Sequence, residues 1–333
     1  MNPTRKFFTL LLSTVVSTLT PGAITTAQAL PVDQALPVAW SFYQHHSSDE
    51  LRNGWQQARD SGLMPVDIEV APHTQQHLSI WEENIYGEGW VSWYGLSEQE
   101  FTANATRYKA RGYLIADQDL STHGDDISYA LVMRENATGI PWKSYTAIDA
   151  TRLHEVIEQH SDELQPVAID ALEHAGNTLF SVVLAGSTNA DQWRFENRLS
   201  HDAYAQRLTQ HKADGFQPAD TVCYLHNGQL HYAAIWQRPF RHSNKRAAYY
   251  GMTATDMRNQ VRQLADQGLR LSRVSACPAV DGQPATYAGI WSANDKRFHW
   301  PAGQTARQLL SDYASVDEIP GVSAAIVHNG RVL

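Results

Sequence analysis

The chain has 333 residues, 43% of them hydrophobic and 18% charged, which is enough apolar mass for a large core. Its 35 acidic and 26 basic residues give a formal net charge of −9. That balance argues against nucleic acid or an anionic membrane as partner, because both require a basic face.

Residues 1–29 read as a secretory signal: Arg5 and Lys6, the apolar stretch Phe7 to Leu19, a Pro21-Gly22 break, then Ala27-Gln28-Ala29. The stretch is too short, and too interrupted by Ser and Thr, for a transmembrane helix. The expectation is a secreted or periplasmic protein with no stable membrane insertion. Losing Arg5 and Lys6 with the signal takes the net charge from −9 to −11.

Residues 30–317 repeat themselves five times with a period of about 51 residues. A capping residue followed four positions on by an apolar one recurs at Ser47/Leu51, Ser97/Phe101, Asp149/Leu153, Ser200/Tyr204 and Thr253/Met257. Fifteen positions after the cap stands Gly62, Gly112, Gly215 or Gly268, with Leu164 the exception. Ser, Thr and Asp satisfy free first-turn amides and Gly ends a helix, so each copy predicts one helix of about 14 residues. A short aromatic segment precedes each helix: Trp40 to Tyr43, Trp90 to Tyr94, Trp142 to Tyr145, Trp193 to Phe195, and Tyr249-Tyr250. A β-branched and aromatic strand follows, ending at Trp81, Met133, Leu184, Trp236 or Trp291.

Between helix and final strand lie an apolar segment and a turn, clearest at His226-Asn227-Gly228-Gln229 and again at Asp281-Gly282. Each unit therefore reads strand, helix, strand, strand, an α+β repeat whose amphipathic helix packs on a three-stranded sheet. Such units stack because none buries its apolar face alone. A ring or closed array is the expected arrangement, since closure removes exposed sheet edges. A partial sixth copy starts at Thr305, and 318–333 follows with a hairpin around His328-Asn329-Gly330.

Cys223 and Cys277 lie in successive repeats, offset by one residue relative to Trp236 and Trp291. An oxidising compartment permits a disulfide between them. The offset argues against it by turning one thiol to the opposite strand face, so a bridge and two buried free thiols both stand open.

The segment IPGVSAAIVHNGRVL resembles the opening of β-lactamase and penicillin-binding-protein-like serine hydrolases. The repeats before it resemble the bacterial tandem-repeat region found ahead of that domain, which is similar to the N-terminal part of fungal polyglycine hydrolases. By the resemblance, 318–333 is the truncated start of a hydrolase domain. A rival reading makes it a sixth repeat, because Val327-His328-Asn329-Gly330 is similar to Leu225-His226-Asn227-Gly228. The family's nucleophile signature is Ser-x-x-Lys, and no serine here is followed three positions later by lysine. Thr106/Lys109 and Thr209/Lys212 have that spacing but sit inside repeat helices.

The remaining chemistry is sparse. His154-Glu155 with His160 lacks the four-residue spacing of a helical zinc pair, and His45-His46 and the His226/His231 pair read as surface or packing residues. Asp117, Asp119, Asp125 and Asp126 read as solvated carboxylates near a turn. Neither a cofactor nor a metal is expected, and no catalytic residue is assigned. Trp81, Trp236 and Trp291 share a register and read as core, whereas Trp93, Tyr94 and Trp300 are the candidate binding surface for a peptide, glycan or cell-wall-like polymer. The leading reading is a secreted non-catalytic repeat module, the accessory part of a β-lactamase-like serine hydrolase. The alternatives are a free-standing carbohydrate- or peptide-binding protein and an enzyme with an acid-base site among its His and Asp residues.

Overall fold

Four helix starts are set by side chains that replace water at the first turn. Ser97, Asp149, Ser200 and Thr253 are extended residues whose side-chain oxygens accept the N–H of Glu100, Arg152, Ala203 and Asp256. Glu100 and Asp256 return the bond to the cap's own N–H and complete a capping box. The helices are α1 (Ser48–Asp60), α2 (Glu98–Lys109), α3 (Ala150–His160), α4 (His201–Ala213) and α5 (Ala254–Asp266). They run 11 to 13 residues, shorter than the spacing predicts, because a turn separates each helix from the next strand. In four units that turn ends on Gly62, Gly112, Gly215 or Gly268 at φ of 77°, 82°, 84° and 74°, a left-handed backbone that only glycine adopts without strain. The third unit has Leu164 there and closes its turn instead with Glu163 N–H on the His160 carbonyl at 3.0 Å.

The computed structural model describes residues 38–45, 48–71, 76–85, 87–186, 192–238, 246–280, 282–294, 327–328 and 331–332. The expected signal, the Ser47 cap, Trp300, the sixth helix at Thr305 and most of 318–333 lie outside the described residues. Within a compact unit spanning Leu36–Lys296, the strands fall three to a repeat: β1 (Trp40–His45), β2 (Leu63–Val70) and β3 (His77–Glu83) in the first. The second holds β4 (Trp90–Leu96), β5 (Tyr113–His123) and β6 (Asp126–Glu135), and the third β7 (Trp142–Ile148), β8 (Leu164–His174) and β9 (Asn177–Gly186). The fourth holds β10 (Trp193–Leu199), β11 (Gln217–His226) and β12 (Gln229–Gln237), and the fifth β13 (Arg246–Met252), β14 (Leu269–Cys277) and β15 (Thr286–Ala293). Outside that unit, β16 (Val327–His328) pairs antiparallel with β17 (Arg331–Val332), as the hairpin reading requires.

Each of the five repeat sheets is antiparallel with the last strand in the middle, in the order β1-β3-β2 and its four equivalents. The Asn-Gly hairpin joins β11 to β12 with Asn227 and Gly228 at φ of 53° and 72°, two left-handed residues that match the twist of the strands. The second strand of each unit carries a bulge at one place, between Pro65 and Asp67, Ile115 and Asp117, Pro166 and Ala168, Pro218 and Asp220, and Leu271 and Arg273.

The sheets bury both faces. One face takes the unit's own helix and the back of the following sheet. In the third unit Leu153, Val156 and Ile157 of α3 share a core with Ile169, Phe180, Val182 and Leu184, and with Val222, Tyr224 and Ile235 of the fourth. The fifth unit repeats the arrangement against the first, where Met257, Leu264, Leu271 and Trp291 pack with Met64, Val66, Leu78 and Ile80. The second strands follow suit: β2 lies against β5, β5 against β8, β8 against β11, β11 against β14, and β14 against β2. Trp81, Trp236 and Trp291 are fully buried, as their shared register implies.

The structure corrects the argument from the cysteine offset. Cys223 and Cys277 form a disulfide joining β11 to β14, with Cα atoms 5.0 Å apart. Neighbouring units meet front to back, so facing side chains come from opposite faces of equivalent strands. The one-residue offset is therefore what lets the two thiols meet.

Replacing Gly112 or Gly268 by Val should destabilise the chain by about 1 kcal/mol or more each. No atom lies within 4 Å of a Cβ built at either position, so the loss reports backbone strain alone. Denaturant melts of the two variants measure it.

Candidate functional site

A strand at the edge of a sheet leaves a row of N–H groups without a partner strand. Here β2, β5, β8, β11 and β14 are such edges, and the next unit supplies carboxyls to all of them but β11. Asp117 Oδ2 accepts from Ile68 N–H at 2.7 Å and Asp119 Oδ2 from Val70 N–H at 3.2 Å. Asp170 takes Leu120 N–H at 2.5 Å, Asp220 takes Ile169 N–H at 2.9 Å, and across the junction of fifth and first units Asp67 and Glu69 take Val274 and Ala276 N–H at 2.9 and 2.7 Å. The bulges place these side chains, and register shows two tiers of equivalent positions. One is Asp67, Asp117, Ala168, Asp220 and Arg273; the other is Glu69, Asp119, Asp170, Val222 and Ser275. Between fourth and fifth units, where Arg273 and Ser275 stand in place of acids, the Ser275 hydroxyl accepts from Cys223 N–H at 3.2 Å and the disulfide adds a covalent link.

The six acids are 3 to 8% exposed, so Asp117 and Asp119 are not the solvated carboxylates that the sequence suggests. Only Asp125 and Asp126, at the β5–β6 turn, are exposed. Arg273 provides the nearest positive charge, 3.4 Å from Asp67 Oδ1 and 3.8 Å from Asp220 Oδ1. Burial penalises the charged form and raises all six carboxyls, Asp67 and Asp170 to about 7 and Glu69, Asp117 and Asp119 well above the usual carboxylate range. Neighbouring acids push the same way, and Arg273 opposes them at Asp67, Asp117 and Asp220. Glu69, Asp119 and Asp170 each turn one oxygen to within 4.8 Å of the others. That spacing suits shared protons or a small cation, and nothing beyond the spacing selects a cation. The space left among the tier residues is about 10 Å³, the size of one water.

Neighbours in sequence, Trp93 and Tyr94 of β4 turn opposite ways and do not form one patch. Trp93 meets Tyr108 of α2 edge-on at 5.2 Å, while Tyr94 lies 5.1 Å from Trp55 and 5.5 Å from His77 of the first unit. Both are half-buried. The slot between first strand and helix is reused along the repeat: Tyr145 hydroxyl bonds His160 Nε2 at 2.9 Å in the third unit, and Glu196 Oε1 bonds His211 Nε2 at 3.1 Å in the fourth. His154 instead reaches Asn197 across units at 3.3 Å, so it and His160 do not converge on a shared ligand. His226 and His231 pack edge-on at 5.7 Å, with His226 Nδ1 bonded to Thr178 Oγ1 at 2.8 Å.

The fold is thus a tandem α+β repeat in which each unit's second strand is completed by side chains of the next. Residues 87–136, 190–239 and 243–294, the second, fourth and fifth units, each match the family described as polyglycine hydrolase-like, structural repeat. Three of the five units are thus similar to the polyglycine hydrolase-like structural repeat. No curated protein matches it.

Asp117→Ala should cost about 1–3 kcal/mol by leaving Ile68 N–H buried and unpaired, and Asp117→Asn, which keeps an acceptor oxygen, should cost less. Chemical denaturation of the two variants distinguishes the lost acceptor oxygen from the lost titratable group. Reducing Cys223–Cys277, which closes a 54-residue separation, should cost about 2–4 kcal/mol by the same measurement.

Proposed function

We propose that the five units form a closed ring that acts outside the cytoplasm as a non-catalytic, substrate-holding module beside a β-lactamase-like serine hydrolase domain. Contact of β14 with β2 supports closure. The pattern of residues 1–29 and the disulfide support export. The resemblance of 318–333 to the hydrolase opening supports the partner domain, and the lack of any Ser-x-x-Lys assigns no chemistry to the repeats.

The observation that carries the holding role is the second edge of each sheet. Among the described residues, the first strands β1, β4, β7, β10 and β13 pair on one side only and are largely half-exposed. A glycine-rich peptide, which the family's name makes the first ligand to try, offers a reader little except main-chain N–H and C=O groups. An open strand edge recognises those groups by adding the peptide as a further strand. Aromatic side chains such as Trp93 and Tyr249 flank that edge and supply apolar contact.

Titrating the purified chain with a soluble oligoglycine peptide should move the amide resonances of the first strands and leave those of the second strands in place. Shifts with an oligosaccharide but not with the peptide would favour the free-standing lectin-like alternative. The same preparation should turn over neither a chromogenic ester nor a cephalosporin; turnover abolished by a serine-directed inhibitor would defeat the non-catalytic reading.

A further inference from the structure

The six buried acids face few opposite charges. Packed around them are Arg273 of β14, Arg134 of β6 and Arg246 of β13, with the Arg270–Glu82 pair between β14 and β3. Every acid also holds a backbone N–H of the preceding unit, so its protonation state is tied to a junction between units. We propose that this double tier is an acid-set clasp: the junctions are tightest in mildly acidic solution and loosen as the pH rises through neutrality.

The geometry supplies the mechanism. Glu69, Asp119 and Asp170 each place one oxygen within 4.8 Å of the others, so a carboxyl that keeps its proton can share it within the cluster while all three hold N–H groups of the preceding units. Loss of the protons leaves like charges at that distance in a buried site, where their repulsion is weakly screened. Four junctions depend on such carboxyls: first with second, second with third, third with fourth, and fifth with first. At the junction of fourth with fifth the backbone N–H is taken by Ser275 rather than by a carboxyl, the disulfide adds a covalent link, and the carboxyl that reaches across, Asp220, faces the Arg273 guanidinium at 3.8 Å.

The direction is opposite to ordinary acid denaturation. An unfolded Asp or Glu releases its proton near pH 4, whereas in the folded chain Asp67 and Asp170 hold theirs to about 7 and burial raises the other four carboxyls as well. The folded state therefore binds more protons across that interval, and stability is greatest at its acid end and falls toward its alkaline end. Each carboxyl changes the folding equilibrium by up to about tenfold per pH unit. Buried His160, whose affinity for a proton is lowered chiefly by burial, contributes the opposite slope and does not produce this fall.

Thermal melting of the intact, oxidised chain from pH 4.5 to 8.5 should show Tm falling with pH, and Asp170→Asn should shrink the fall, since the amide keeps an acceptor for Leu120 N–H but has no proton to lose. Native-state hydrogen exchange on the unmodified protein gives the same answer if that variant does not fold. Protection of the Ile68, Leu120, Ile169 and Ala276 amides, corrected for intrinsic rate, should drop between pH 5.5 and 8 by at least tenfold more than that of Cys223. A Tm that is level or rises with pH, or equal loss of protection at Cys223, would overturn the proposal. So would a fall abolished by excess calcium chloride, which would reassign the cluster to a cation.

Discussion

Everything in this repeat array turns on how a three-stranded sheet treats its inner edge. Strands β2, β5, β8, β11 and β14 have no fourth strand beyond them, yet they are buried, and an unpaired buried N–H costs about 1–3 kcal/mol. Backbone pairing between units would satisfy the edge but would merge the units into one continuous sheet. Side-chain carboxyls satisfy it while each sheet stays separate, and a bulge beside each first-tier position aims the side chain across the junction. The cost is a concentration of acid in a dry interior, met partly by Arg273 and partly by retained protons.

Much of the fold was legible because capping and turn chemistry are local. Ser97, Asp149, Ser200 and Thr253 act as read, and the glycines at 62, 112, 215 and 268 are left-handed. The shared register of Trp81, Trp236 and Trp291 announced a core position. The carboxyl tiers were missed because their meaning is not local. Asp117 and Asp119 sit near a turn in sequence, and only the neighbouring unit's edge strand gives them a partner. A signal was present: acids stand five residues after Gly62, Gly112 and Gly215, and seven after Gly62 and Gly112, inside segments that read as strands. A carboxylate recurring on a buried strand at a fixed repeat position is hard to explain by solvation.

Front-to-back stacking also explains why pair rules drawn from a single sheet fail between repeats. Within a sheet, residues of the same parity share a face. Between these sheets opposite faces meet, which joined Cys223 to Cys277 and set unit-specific pairs such as Thr178 with His226 and Phe180 with Tyr224. The fourth–fifth junction shows that the same contact is met by different chemistry, with a hydroxyl acceptor and a covalent bond where the others use acids.

Val38 and Asn294 stand at opposite ends of the repeat sequence and hold each other by two hydrogen bonds of 3.0 Å, Val38 N–H to Asn294 Oδ1 and Asn294 Nδ2 to the Val38 carbonyl. Entry and exit therefore occupy one point. The array can be spliced into a surface turn of another domain without stretching its host, because both connections leave side by side. The contact between the fifth and first units reuses the carboxyl-to-N–H bonds found between successive units, so the two ends of the repeat sequence meet through the same chemistry as its interior.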